Sequence, residues 1–163
     1  MKNPRNVIAT VIVLVIAGFW LSSLLASHES RIRGQLEYSR DSFNAIRAAS
    51  AIEILDPEFR DTTTGLRPDA IRGYLVAAFL QKQNRHDGAL RYQARWDDNA
   101  LEITVAEDKD PPTATAKIPL EFVDTKDDSL VWSIQVDATL SFETGTWLVT
   151  SSKFRSVSGK RPF

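Results

Sequence analysis

The sequence contains no cysteine among its 163 residues. This absence excludes disulfide bonds, a thiolate nucleophile and zinc sites built on cysteine. An excess of charge is also lacking, because 20 Lys and Arg stand against 21 Asp and Glu, for a net charge of -1. No overall field therefore attracts nucleic acid or an acidic substrate. We predict no nucleic-acid partner, no metal and no cofactor.

Residues 7–26, VIATVIVLVIAGFWLSSLLA, contain no charged residue. About 20 residues in a helix cover the roughly 30 Å hydrocarbon core of a bilayer. We predict a single-pass transmembrane anchor here, preceded by a short cytoplasmic tail at residues 1–6. The alternative is a signal peptide cleaved after Ala26. It is less favoured because its apolar region normally runs to about 7–15 residues and Leu24 is not the small residue that cleavage prefers.

The predicted location follows from this anchor. A short charged tail before one span is typical of a signal anchor whose tail stays in the cytoplasm, although Arg31, Arg33 and Arg40 follow the span. We therefore predict a protein of the bacterial inner membrane with its C-terminal domain in the periplasm. The chain length allows one domain of roughly 100–150 residues beyond the anchor. We assign it to residues 27–157, with 158–163 as a flexible tail.

Helical patterns come before any strand. The segment RIRGQLEYSRDSFNAIRAAS predicts an amphipathic helix, with Leu36, Phe43, Ile46 and Ser50 on one face and Arg33, Arg40 and Arg47 on another. The stretch AIEILDPEF then predicts a short helical turn that Pro57 ends. Pro68 and Asp69 suit the first turn of a further helix. Its buried row is predicted to be Ile71, Tyr74, Leu75, Ala78 and Phe79.

From Ala89 onward the apolar residues alternate with polar ones, which is typical of strands. Residues 90–96 and 101–105 predict a hairpin, and three longer strands follow. Pro119 lacks a backbone donor, which predicts an edge or a bulge in its strand. Helices before strands, with one apolar face on each strand, indicate an α+β fold. We predict two to three helices packed on a curved antiparallel meander sheet of about five strands.

This order of elements resembles a known superfamily. The turn ILDPEFRDTTTG, the helix RPDAIRGYLVAAFLQ and the Trp-containing hairpin FETGTWLVTSSKF are similar to those of the nuclear-transport-factor-two-like (cystatin-like α+β cone) superfamily, over roughly residues 32–157. The resemblance implies a cone whose concave face, closed by helices, forms a pocket. It implies no single function, since the superfamily includes ketosteroid isomerases, cyclase-like enzymes and domains without chemistry.

The apolar strand positions contain no Asp, Glu, His or Lys, while Glu102, Glu121 and Asp137 lie on the opposite phase. A general base needs burial and reach to the substrate, so this pattern disfavours catalysis. Asp56 and Asp61 are candidates for the pocket mouth, although turn residues of this type more often cap a turn. Candidate ligand-pocket residues are aromatic, with a plain core role as the alternative: Tyr74, Tyr92, Trp96 and Trp132.

The charged turns suggest a docking surface. In a meander, alternate turns share an end of the sheet, so acidic turns should meet basic residues of the last strand. The candidate residues are Asp97, Asp98, Asp127, Asp128, Lys153 and Arg155. A weak calcium site is an alternative without the loop spacing that calcium needs. Solvated turns with incidental ion pairs are the other alternative.

We predict a non-catalytic, membrane-anchored accessory or assembly subunit of a larger bacterial inner-membrane complex. Residues 7–26 would keep the domain close to the other membrane-complex subunits and so raise its effective concentration there. One alternative is a pocket protein that binds an apolar ligand or acts as a cyclase- or isomerase-like enzyme. The other is a component similar in layout to the inner-membrane core subunit of type IV secretion systems.

Overall fold

The computed structural model describes residues 27–84 and 88–163. The tail and anchor predicted at residues 1–26 lie outside the described residues. Within the described ranges, no helix has the length and apolar character needed to cross a bilayer. The helices are α1 (His28–Asn44), α2 (Ala48–Ala51) and α3 (Pro68–Lys82). The strands are β1 (Leu55–Asp61), β2 (Tyr92–Arg95), β3 (Glu102–Ala106), β4 (Thr113–Asp124), β5 (Leu130–Glu143) and β6 (Thr146–Gly159).

The first predicted helix is shorter in the structure than in the sequence pattern. It begins where Ser27 Oγ accepts a hydrogen bond from the backbone N–H of Ser30 at 3.2 Å, an N-cap. It ends at Asn44, because Ile46 has a φ of 61°, a left-handed conformation that a β-branched residue adopts only in a turn. The predicted continuation to Ser50 is therefore wrong, and the residues beyond the turn form the separate helix α2.

The fold is α+β and its sheet is mainly antiparallel, as predicted, but the sheet is not a simple meander of five strands. The described residues form a mixed sheet of six strands in the order β1-β6-β5-β4-β2, with β3 also paired to β4. The additional strand is β1, which runs parallel to β6 and arises from the segment predicted as a helical turn. Pro57 is tolerated because β1 is an edge strand with a single neighbour. The register between Leu55 and Arg60 shifts around this proline.

The predicted hairpin between the two short strands is also wrong. Both β2 and β3 pair antiparallel with β4, so they lie in line along one edge of it instead of beside each other. The β2 pairing ends at Arg95 opposite Glu121, and the β3 pairing begins at Glu102 opposite Lys117. Pro119 lies in the gap between them, and its register partner there is on β5. The missing donor of Pro119 thus coincides with a local interruption of the neighbouring strand.

One end of the apolar sheet face is closely filled. Cross-strand neighbours here are small, and a tryptophan from β6 completes the layer. The residues of this packed zone are Ile32, Ala114, Ala116, Ala138, Leu140 and Trp147. Trp147 is 1% exposed, and its indole Nε1 donates a hydrogen bond to Nδ1 of His28 at 3.2 Å. The His28 ring also contacts Phe142 and Trp147 edge-on.

The opposite end of the same face is built from aromatic rings. Phe122 and Trp132 stack with their centroids 5.4 Å apart. The residues of this aromatic zone are Phe43, Phe122, Trp132, Phe154 and Phe163. In the segment predicted as a flexible tail, β6 continues to Gly159 and the Phe163 ring lies against Phe122 at 5.4 Å.

Candidate ligand cavity

A cavity of about 320 Å³ lies between the packed zone and the aromatic zone. Three helices and five strands contribute to its wall, so the cavity forms only when the whole domain is assembled. Most of the lining is apolar, as expected for a small-molecule site. The lining residues are Leu36, Ser39, Arg40, Phe43, Ala51, Ile52, Leu55, Phe59, Ile71, Leu75, Ala94, Trp96, Ile118, Leu120, Phe122, Val136 and Ser152.

Helix α1 supplies the cavity with one continuous row of side chains. Leu36, Ser39, Arg40 and Phe43 are spaced at i, i+3, i+4 and i+7, so they share one face of the helix. The row is apolar at both ends and polar in the middle. Sequence reasoning placed Arg40 on another face from Leu36, but a spacing of four residues puts the two side chains on the same face.

Trp96 lines the cavity and packs against this row. Its indole Nε1 donates to Oδ1 of Asp98 at 3.0 Å, and its ring lies 4.5 Å from the guanidinium carbon of Arg40. A cation over an indole face at this distance is attracted by the ring quadrupole. The Arg40 side chain is 21% exposed. Arg40 is therefore held in a cation–π contact at the cavity wall and largely removed from water.

Two hydrogen-bonded clamps hold this wall against α1. The side chain of Asn44 donates to the carbonyl of Ala94 at 2.9 Å and accepts from its N–H at 2.8 Å. Arg33 Nη1 donates to the carbonyl of Asp98 at 3.0 Å. The two clamps flank Trp96 in the chain. Because β2 is only four residues long, these contacts rather than strand pairing alone fix the position of the indole.

On the opposite side of the cavity, Ser152 is tied to a buried carboxylate. Its Oγ donates to Oδ2 of Asp61 at 2.9 Å. The other oxygen of Asp61 accepts from Thr63 N, Thr64 N and Thr64 Oγ1 at 3.1, 2.7 and 2.7 Å. The carboxylate therefore caps the turn after β1 and orients Ser152. Asp56 likewise accepts from the N–H of Glu58 at 2.7 Å, in the turn role weighed for it above.

The structure separates the four candidate pocket residues. Trp96 lines the cavity, whereas Tyr74 is 59% exposed on α3. Trp132 belongs to the aromatic zone and donates from Nε1 to Ser156 Oγ at 2.9 Å. Tyr92 lies beside the guanidinium of Arg91, whose central carbon is 5.1 Å from the ring.

The residues predicted to form a docking surface lie in three separate places. Because β2 and β3 are in line along β4, the loop with Asp97 and Asp98 lies beside the gap at Pro119 rather than at an end of the sheet. Asp97 accepts from the N–H of Asn99 at 2.9 Å, which caps that loop.

The acidic turn between β4 and β5 forms the second place. Asp127 accepts from the N–H and hydroxyl of Ser129 at 3.1 and 2.7 Å, and these bonds hold the pKa of Asp127 below its usual value. Asp128 pairs with Arg95 at 2.8 Å. No three acidic or histidine side chains in the described ranges form a group suited to a metal ion.

The third place is the middle of β6. Lys153 lies 3.6 Å from Asp137 on β5, and Arg155 is opposite Gln135 in the register. Both basic residues therefore lie opposite residues of β5 in the middle of the sheet, and not beside the acidic turns.

A larger depression of about 660 Å³, open to the surface like the candidate cavity, lies where α3 ends beside the β4–β5 turn. Its lining is polar and includes Lys82, Arg91 and Lys126. Arg91 donates twice to Oδ2 of Asp124, at 3.0 and 2.9 Å. The Lys126 N–H and the Arg91 guanidinium lower the pKa of Asp124. Both Nε and Nη2 of Arg91 are thus already bonded to one carboxylate.

No protein-family model and no curated protein matches the chain. Solved structures do match its fold. An NTF2-like protein with a cystatin-like fold from Novosphingobium aromaticivorans superposes with a TM-score of 0.61 and 13% identity, covering 98% of this chain and 94% of that one. A cystatin-like protein of unknown function from Nostoc punctiforme has a TM-score of 0.60 and 12% identity, covering 82% and 93%.

A ketosteroid isomerase-like protein from Erwinia carotovora atroseptica superposes with a TM-score of 0.54 and 11% identity, covering 79% of this chain and 95% of that one. The chain has an NTF2-like, cystatin-like fold. This confirms the superfamily resemblance at the level of the fold. The cavity lies between the helices and the sheet, where the resemblance implied a pocket.

Proposed function

We propose that this domain binds a small apolar molecule in the cavity between α1 and the sheet. The observation that carries the proposal is the cavity itself, with its volume of about 320 Å³ and its mainly apolar lining. A concave, mainly apolar pocket that opens to the surface is typical of small-molecule sites, and its volume falls within their range of about 300–1,000 Å³.

The lining favours binding over acid–base catalysis. Among the described lining residues, the ionisable side chain is Arg40, and a guanidinium keeps its proton at any physiological pH. The nearest buried carboxylate, Asp61, lies behind Ser152 and already accepts four hydrogen bonds. A proton-abstracting group of the kind an isomerase needs is therefore lacking in the described wall.

Binding is tested with the full chain and the neutral probe cinnamamide, followed by calorimetry. Val136→Phe places a ring in the cavity, and we expect it to abolish binding. Val157→Phe is the matched control, because Val157 lies on β6 with 63% of its surface exposed. Equal binding by the two variants would show that the probe sits elsewhere, and absence of binding to the unaltered chain would count against the proposal.

The inner-membrane location and the accessory-subunit role stay predictions that rest on residues 7–26. We propose that this segment retains the protein in the membrane, since its apolar length matches a bilayer core. Alkaline carbonate extraction of membranes from expressing cells checks this. We expect the protein in the pellet, with its N-terminal residues intact on sequencing. A soluble protein beginning after Ala26 would instead indicate a cleaved signal peptide.

A further inference from the structure

We propose that the cavity selects an apolar molecule that carries a carboxylate, and that Arg40 binds this group. The inference rests on the proposed binding function and adds the chemical class of the ligand. The inference depends on which polar groups in the cavity wall still have unused hydrogen-bond donors.

Three polar side chains line the described wall, and two of them already use their protons. Ser39 donates its hydroxyl to the carbonyl of Ala51. Ser152 donates to Asp61 at 2.9 Å. Each hydroxyl has one proton, so neither serine has a further hydrogen bond to donate to a ligand. Arg40 remains as the source of donors.

Arg40 uses one of its three nitrogens within the described part of the chain. Nε donates to Oδ1 of Asp41 at 2.9 Å, while Nη1 and Nη2 have no hydrogen-bond partner among those residues. These two terminal nitrogens carry four N–H groups in a planar fork, and a carboxylate accepts from such a fork with two parallel bonds. The side chain thus offers the geometry of carboxylate recognition with its main donors unused.

The surroundings of Arg40 strengthen a hydrogen bond between its guanidinium and a ligand carboxylate. Its guanidinium lies against Trp96, and its side chain is flanked on α1 by Leu36 and Phe43. Charge-assisted hydrogen bonds gain strength where water is excluded. The neighbouring Asp41 side chain is 60% exposed, so water screens its charge strongly. A ligand carboxylate therefore meets an arginine that is positioned by an aromatic ring and only partly neutralised.

The volume limits the size of the ligand. A volume of about 320 Å³ lies near the lower end of the range of small-molecule sites, about 300–1,000 Å³. A single aromatic ring or a medium-length chain with one carboxylate fits this space.

The test compares cinnamate with cinnamamide, two probes of the same shape that differ in charge. Both are titrated into the full chain by calorimetry. We expect cinnamate to bind about tenfold more tightly or better, the difference expected of hydrogen bonds to a charged group. Arg40→Met keeps the length and apolar stem of the side chain, and we expect it to remove the preference while cinnamamide still binds.

Arg47→Met is the matched control for loss of one positive charge. Arg47 follows α1 and lies over Tyr38 at 6.0 Å, and it is absent from the cavity wall. We expect this variant to keep the full preference for cinnamate. Retained cinnamamide binding by Arg40→Met also shows that the cavity still forms.

The outcomes separate the two proposals. Equal affinity of the unaltered chain for both probes would overturn the role of Arg40 and leave cavity binding intact. An equal loss of preference in Arg40→Met and Arg47→Met would overturn it too, because the effect would then be one of net charge. Failure of both probes to bind would count against the proposed function itself.

Discussion

The packed zone and the cavity lie on the same face of the sheet, yet side chains fill the first and leave the second open. In the packed zone the strands present Ala114, Ala116 and Ala138, and α1 presents Ile32. Around the cavity, the strands present larger side chains such as Ile118, but α1 presents Ser39 and Arg40 in the middle of its row.

The difference shows that the covering helix, rather than the sheet, determines where the space lies. Strand alternation is equally regular in both regions, so it cannot distinguish them. Apolar side chains from α1 fill the packed zone. Two turns beyond Ile32, the short hydroxyl of Ser39, which bonds to Ala51, and the guanidinium of Arg40, which lies against Trp96, leave the space between helix and sheet open.

The largest expected effect is the loss of the tryptophan in the packed zone. Trp147→Ala should lower the free energy of unfolding by about 3–5 kcal/mol, because a buried ring is replaced by a void. Trp96→Ala at the cavity should cost clearly less, since that indole already borders empty space. Urea denaturation of both variants measures the contrast. Equal losses would mean that the two regions are packed alike.

A smaller effect is expected when the same two methyl groups are added in each region. Ala116→Val inserts them into a site that is 1% exposed and closely surrounded, so we expect a loss of about 1–3 kcal/mol. Ala94→Val points them at the cavity and should leave the unfolding midpoint nearly unchanged. If Ala94→Val proved the more destabilising of the two, the cavity would not be open at that wall.

A third change probes the polar edge of the packed zone. His28→Ala removes the acceptor of the Trp147 N–H, and we expect a loss of about 1 kcal/mol. His28→Gln offers an amide oxygen in its place and should recover part of the loss. Tryptophan fluorescence during denaturation reports both. Identical losses in the two variants would assign the effect to the ring contacts with Phe142 and Trp147 instead.

The smallest effect concerns a region outside both zones and depends on pH. The pKa of Asp124 is lowered in the folded chain, so the ionised form contributes stability above the usual carboxyl pKa of about 4. This contribution is lost as the pH falls through the lowered value. Asp124→Asn should therefore be less stable than the unaltered chain at pH 7, with a gap that narrows below about pH 4. A gap independent of pH would exclude this ionisation as its source.

Strand phase could be predicted from the sequence because alternation depends only on which side chains are apolar. Ala116, Ile118 and Trp132 are buried as their positions indicated. The strand β1 could not be predicted, since Pro57 argues against a strand unless its edge position is known. The in-line arrangement of β2 and β3 could not be predicted either, because a turn sequence between two strands does not determine which strand each of them pairs with.

The cavity was predicted less well than the fold. The sequence prediction of polar pocket groups rested on strand positions, whereas Arg40 and Ser39 lie on the helix that covers the strands. The i, i+4 relation of Arg40 to Leu36 was a usable signal. The hydrogen bonds of Asn44 and Arg33 join residues far apart in the chain, and no local sequence pattern predicts them.

The single row on α1 has a consequence for how this domain can be altered. Ser39 and Arg40 line the cavity, and neither residue takes part in the strand ladder, so substitutions there change charge, polarity and free volume together. Under the proposed binding function, a library confined to these two codons would vary ligand preference within one helical turn and leave the sheet and its register in place.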